Sequence, residues 1–80
     1  MNLVDNEKYA RMYEKLKEEP LRIDIMSTRD LLEFVKWCNR NNIRVDVKRM
    51  IIPSPRNELN FPVLVLKDHE YKLEEGVKII

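Results

Sequence analysis

Few residues in this 80-residue chain could act as a nucleophile or an acid–base group, since it contains one Cys and one His. Cys38 could form an intermolecular or redox-sensing disulfide, and His69, which has a carboxylate on either side, could transfer protons. Ser27 and Asp30 have the spacing of a nucleophile with its base, which is also the spacing of a helix N-cap. One Cys and one His cannot form a zinc site, which needs three or four such ligands.

For each of these residues the sequence favours a structural role. Cys38 lies on the apolar stripe of a predicted helix, where burial raises the pKa of a thiol and makes it inert. His69 falls in a predicted turn without a nucleophile beside it. Ser27 is predicted to cap the helix, whose N-terminus next to Arg29 would still favour an anion. We therefore predict no catalytic residue, no metal and no cofactor.

Charged side chains on two predicted strands are the first candidates for partner binding. The chain has 15 Lys and Arg against 14 Asp and Glu, so its overall charge attracts neither nucleic acid nor a membrane. Trp is enriched at interface hot spots, although core-edge packing is the commoner role for a Trp on a helix. The predicted partner-binding residues are Arg22, Asp24, Arg44, Asp46, Lys48 and Trp37.

A basic stretch along one strand and its loop supports a second interpretation, phosphate binding. Such binding would depend strongly on salt. Two acidic residues interrupt the stretch and aromatic residues are absent from it, so a solvated face is the favoured interpretation. The candidate nucleic-acid contacts are Arg44, Lys48, Arg49 and Arg56.

Apolar periodicity predicts the elements that position these residues. A helix over 5–18, capped by Asp5 and ended by Pro20, precedes a strand over 21–26. The main helix follows over 28–42, with Asn41 and Asn42 as a left-handed exit. The alternation over 43–52 predicts a strand with a bulge near 48–50, where the alternation is lost. A loop over 53–60, strands over 61–67 and 70–73 and an apolar tail over 77–80 complete the chain.

This order, α-β-α-β-β-β, predicts one α/β (α+β) domain over 1–80: a two-layer sandwich of two helices on a four-stranded mixed sheet. The strands at 21–26 and 43–50 form a β-α-β unit and should be parallel. The strand at 61–67 is apolar throughout, so we place it centrally, beside 21–26. The hairpin partner 70–73 is antiparallel to it.

The β-α-β unit, the Phe61-Pro62 step before an apolar strand, the hairpin and Glu75-Gly76 together resemble the thioredoxin/glutaredoxin superfamily. The resemblance covers residues 21–76 and implies a cis Pro62 facing an active site. The chain departs from the family where its CxxC motif belongs, since residues 27–30 contain no cysteine. The resemblance thus implies a trimmed, redox-inactive member.

The amino-acid composition indicates the compartment in which the protein works. A lone cysteine is typical of a reducing compartment, and the chain shows neither a secretory leader nor a membrane-spanning run, so we predict a cytoplasmic protein. The high charged fraction of 36% and the lack of Gln suit a thermophile, whereas seven Asn argue against one.

The central apolar strand decides the predicted function. With both helices on one side of the sheet, its other face would expose an apolar strip that a monomer rarely leaves in water. We therefore predict a non-enzymatic interaction module, most simply a homodimer, that binds through its sheet. Nucleic-acid regulation through residues 44–56 and a redox-inactive thioredoxin-like protein are the alternatives.

Overall fold

The structure, a computed structural model, describes residues 3–80, with side chains described from residue 6 onward. It is an α+β fold in the predicted order, with two helices and a four-stranded antiparallel sheet. The elements are α1 (Leu3–Glu18), β1 (Leu21–Arg22), α2 (Thr28–Arg40), β2 (Val45–Ile52), β3 (Leu59–Leu66) and β4 (Lys78–Ile79).

The helices follow the periodicity and capping signals closely. The Ser27 hydroxyl accepts the Asp30 N–H at 3.1 Å, which confirms the predicted cap of α2. Beyond Arg40 the chain leaves the helix with Asn42 in the left-handed region, at a φ of 59°, as predicted. The prediction for the start of α1 was wrong, because Leu3 is already helical and Asp5 lies inside the helix rather than at its cap.

The strand order is β1-β3-β2-β4, and every neighbouring pair is antiparallel. The apolar strand β3 lies between β1 and β2, which confirms its predicted central position beside β1. β1 and β2 run in the same direction but are not hydrogen-bonded to each other, so the predicted mixed sheet is wrong. The short β2–β3 loop favours a local hairpin, and β3 can occupy the inner position because it is apolar on both faces.

Two strand predictions need correction. β1 ends at Arg22, since the Met26 N–H donates to the Ile23 carbonyl in a turn and Ile25 is 74% exposed. The register from Val45 to Ile52 is unbroken, so the predicted bulge is absent from β2. The last three residues of β2 still alternate between the faces: Ile51 lies on one side of the sheet, and Met50 and Ile52 lie on the other. The run is continuous because apolar residues occupy both faces at this end of the strand.

The segment predicted as a strand at 70–73 is irregular, and the sheet takes its fourth strand from the C-terminal tail instead. The Phe61–Pro62 peptide bond is trans and lies within β3.

We call the two faces of the sheet the helix side and the strap side. On the helix side, Leu64 of β3 joins one buried cluster with residues of both helices, and the flanking side chains of β1 and β2 pack around it. The buried members of that cluster are Tyr9, Leu16, Phe34, Trp37, Cys38 and Leu64.

Candidate functional site

The strap, residues 67–77, covers the strap side of the sheet. The Lys67 N–H donates to the carbonyl of Arg44, just before β2, so the preceding Leu66 N–H points the other way, toward the β1 edge. There it donates to the Tyr71 hydroxyl at 2.7 Å. Because β4 pairs with the opposite edge of β2, the chain must cross the sheet between Tyr71 and β4.

His69 fixes the start of the strap to α1. Its Nε2 donates to the Lys17 carbonyl at 2.9 Å, at the end of the helix, and its ring packs edge-on against Tyr71 with 4.4 Å between centroids. Helix C-termini leave carbonyls without partners inside the helix, and His69 satisfies one of them. His69 is exposed beside a turn, as the sequence predicted, and it also makes a structural contact with the end of α1.

The strap explains how β3 is buried on both faces. Val63 and Val65 are 0% and 3% exposed, and they lie on the strap side, outside the cluster formed by the helices. A cavity of about 460 Å³ between strap and sheet is lined by Val65, Tyr71, Leu73 and Ile79, with Lys48 at its side. The expected apolar strip is therefore covered by the chain's own C-terminal segment.

Two predicted partner-binding residues bind each other at the β1 edge of the strap side. Arg22 donates Nε and Nη2 to the Asp24 carboxylate, at 3.1 and 2.7 Å, and its guanidinium carbon lies 3.9 Å from the Phe61 ring centroid. The hydrogen bonds from Arg22 lower the pKa of Asp24. The guanidinium covers the Phe61 ring, so this pair extends the cover that the strap provides.

Asp46 protects part of the outer edge of β2. β4 pairs only with Met50 and Ile51, and Ile80 exchanges backbone hydrogen bonds with Arg49, so the edge from 45 to 48 has no described neighbour. The Asp46 carboxylate accepts the Val47 N–H at 2.9 Å along this edge. A charged side chain on an open edge discourages strand addition.

The remaining predicted partner-binding residues are dispersed. Trp37 is buried between the helices and donates its indole N–H to Asn6 Oδ1 at 2.6 Å, so it packs in the core. Lys48 lies on the strap side, and exposed Arg44 lies just before β2.

The basic stretch is divided by the strand geometry. Lys48 pairs with Val63 on the strap side, whereas Arg49 pairs with Pro62 on the helix side. Arg56 is exposed in the loop beyond. The structure therefore does not gather the four candidate nucleic-acid contacts on one face.

Cys38 and Asp30, which the sequence offered as possible reactive residues, have structural roles in the core and at the N-terminus of α2. Burial raises the pKa of the Cys38 thiol to about 11. Asp30 pairs with Lys8 of α1 at 3.2 Å, and hydrogen bonds from Lys8 and Ser27 lower its pKa. Within the described part of the chain, no three His, Cys, Asp or Glu side chains come together as a metal site.

Two of the exposed large apolar side chains, Val47 and Ile80, lie on the helix side of the sheet, beyond the helices. Val47 of β2 stands directly opposite Leu64 of β3, so both face the helix side. Leu64 is 1% exposed and Val47 is 57% exposed. At the level of Val47 the cover that the helices provide therefore ends between these two strands, whereas Val45 at the start of β2 still packs against the core.

We call the uncovered part of the helix side the open patch. Opposite residues in the register share a face, so its members follow from the pairing of β2 with β3 and β4. Ile80, at 66% exposure, is among them. The open patch consists of Val47, Arg49, Ile51, Asn60, Pro62, Lys78 and Ile80.

Sequence reasoning missed the open patch, the Tyr71 anchor and the role of His69. The alternation along β2 is enough to place Val47 on the apolar face of the strand, but no local signal shows where a helix above that face ends. The tail over 77–80 was recognised as apolar, which is the only signal for Ile80.

Comparison with family models, with curated proteins and with solved structures finds no match to this chain. None of the described helices is long and apolar enough to cross a membrane.

Proposed function

We propose that this chain is a non-enzymatic interaction module that binds a protein partner through the open patch. The observation that carries the proposal is the contrast between Val47 and Leu64. Both face the same side of the sheet, but Val47 is largely exposed and Leu64 is buried. Large apolar areas at a protein surface usually mark an interaction site.

The size and shape of the chain support this proposal. Its accessible surface is 6371 Å², whereas a compact monomer of this mass exposes about 5,100 Å². The radius of gyration is 13.7 Å, against about 12 Å for a compact 80-residue domain. The chain is thus less compact than a typical monomer of its size, and its surface has room for the roughly 800 Å² that each partner buries in a standard interface.

The predicted homodimer is one form of this function, with the open patch rather than the strap side as the contact surface. Nucleic-acid binding is not proposed, because Lys48 and Arg49 face opposite sides of the sheet. A thioredoxin-like role draws no support from the comparisons, and the single buried thiol offers no dithiol chemistry.

Site-specific photo-crosslinking tests the proposal. A photoreactive phenylalanine analogue replaces Val47, and the matched control carries it at Lys72, an exposed strap residue. We expect a discrete adduct in cells from position 47 and none from position 72. Sedimentation equilibrium of the purified chain then shows whether self-association accounts for the adduct. Equal, diffuse labelling from both positions would refute the proposal.

A further inference from the structure

The open patch has the dimensions of one α-helix. From Val47 to Ile51 it runs about 13 Å along β2, and from β3 to β4 it measures about 10 Å across. A helix is about 10 Å in diameter, and three turns rise about 16 Å. The rest of this side is already covered by α1 and α2, so another helix would complete the cover of the sheet.

The charge of the open patch selects the kind of helix. Arg49 and Lys78 are exposed and make no ion pair with any residue between 6 and 80. None of the side chains of the patch is a carboxylate. The nearest acidic side chain along the chain, Asp46, faces the strap side and accepts the Val47 N–H at the edge of β2. A partner with an apolar stripe bordered by carboxylates would match both the apolar residues and the two cations.

A second copy of the chain fits this surface poorly. Two-fold pairing of like surfaces would bring Arg49 and Lys78 of one copy against the same cations of the other. Leu32 is the exposed large apolar residue among the described residues of α2, and charged residues surround it, so α2 of a second copy offers no apolar stripe for the patch.

We infer that the open patch binds an acidic amphipathic helix of a different protein. The inference rests on the proposed function and specifies its partner. The apolar stripe of the helix lies on Val47, Ile51 and Ile80, and its carboxylates pair with Arg49 and Lys78.

Two synthetic helical peptides of about 14 residues, long enough to span the patch, test this inference against the isotope-labelled full chain by NMR. Both carry leucines at i, i+3, i+4 and i+7, bordered by Glu in one peptide and by Lys in the other. We expect the Glu peptide to shift the amides of Val47, Arg49, Ile51 and Ile80 and to bind at least about tenfold more tightly than the Lys peptide.

The double variant Arg49→Glu, Lys78→Glu provides the charge-reversal control. Both positions are exposed, and the same spectra report whether the fold is intact. We expect this variant to prefer the Lys peptide. Equal binding of both peptides to the native chain, or shifts confined to the strap, would overturn the inference.

The crosslinking experiment separates this inference from the proposed function. An adduct at position 47 with a second copy, together with no shift by the Glu peptide, would leave the interaction module standing and refute the acidic helix. No adduct and no shift would refute both.

Discussion

At the residue scale, burial of the Cys38 thiol makes the stability of the fold depend on pH. Burial raises its pKa to about 11 in the folded chain, and an unfolded thiol ionises near pH 8.5. Between these values the unfolded chain loses the proton and the folded chain keeps it. The contribution of the protonated Cys38 thiol to the free energy of unfolding is therefore fully present below about pH 8. It is lost as the pH rises toward 11.

We expect the free energy of unfolding to fall more steeply between about pH 8.5 and 10.5 in the native chain than in a Cys38→Ala variant. Urea melts at a series of pH values measure this difference. The variant loses some stability at every pH because it leaves a cavity, so the slope is the informative quantity. Parallel curves would show that Cys38 is not protected from ionisation.

Tyr71 is the second informative residue, because its hydroxyl accepts the Leu66 N–H at the edge of the sheet. Replacing Tyr71 by Phe keeps the ring and leaves that N–H without a partner. We expect a loss of about 1 kcal/mol in stability, together with faster hydrogen exchange at the Leu66 amide. Tyr13→Phe is the matched control, since the Tyr13 hydroxyl makes no hydrogen bond with the described residues. An unchanged Leu66 exchange rate would show that the strap is held elsewhere.

At the element scale, β3 is covered by a different element on each face. Leu64 faces the helices and Val65 faces the strap, and both are buried. We expect a loss of about 2–5 kcal/mol for Leu64→Ala and about 1–3 kcal/mol for Val65→Ala, from lost burial and cavity formation.

The matched control is Val47→Ala, on the neighbouring strand, which we expect to be within about 0.5 kcal/mol of the native chain because the side chain is exposed. Urea melts of the three variants measure these losses in the free energy of unfolding. A near-neutral Val65→Ala would mean that the strap does not cover the sheet, and a costly Val47→Ala would mean that the open patch is part of the core.

At the scale of the whole molecule, the distribution of charge governs what the chain attracts. The net charge is +1, and the basic residues of β2 face opposite sides of the sheet. We expect only weak nucleic-acid binding that disappears as salt increases. Fluorescence polarisation with single- and double-stranded oligonucleotides at 150 mM salt measures this. Tight binding at that salt, abolished by Arg44→Ala together with Arg49→Ala, would contradict the prediction.

Much of the local structure was predictable from the residues, because caps, apolar periodicity and prolines act over a few neighbours. Ser27 with Asp30 identified the start of α2, and Asn42 identified its exit. The continuous apolar run of β3 indicated a strand buried on both faces, and that run correctly placed it in the middle of the sheet.

The interaction surface was not predictable in this way, because it depends on contacts between distant parts of the chain. Arg22 and Lys48 both lie opposite Val63 on the strap side, but the sequence does not show that residues 67–77 cross that face and cover it. Alternation placed Val47 toward the helices, while only the packing of α1 and α2 decided that their cover stops before reaching it. The sequence by itself determined the helices, the central strand and the presence of a single cysteine. The tertiary structure alone decided which apolar residues stay exposed, because exposure depends on what the whole chain places above each strand.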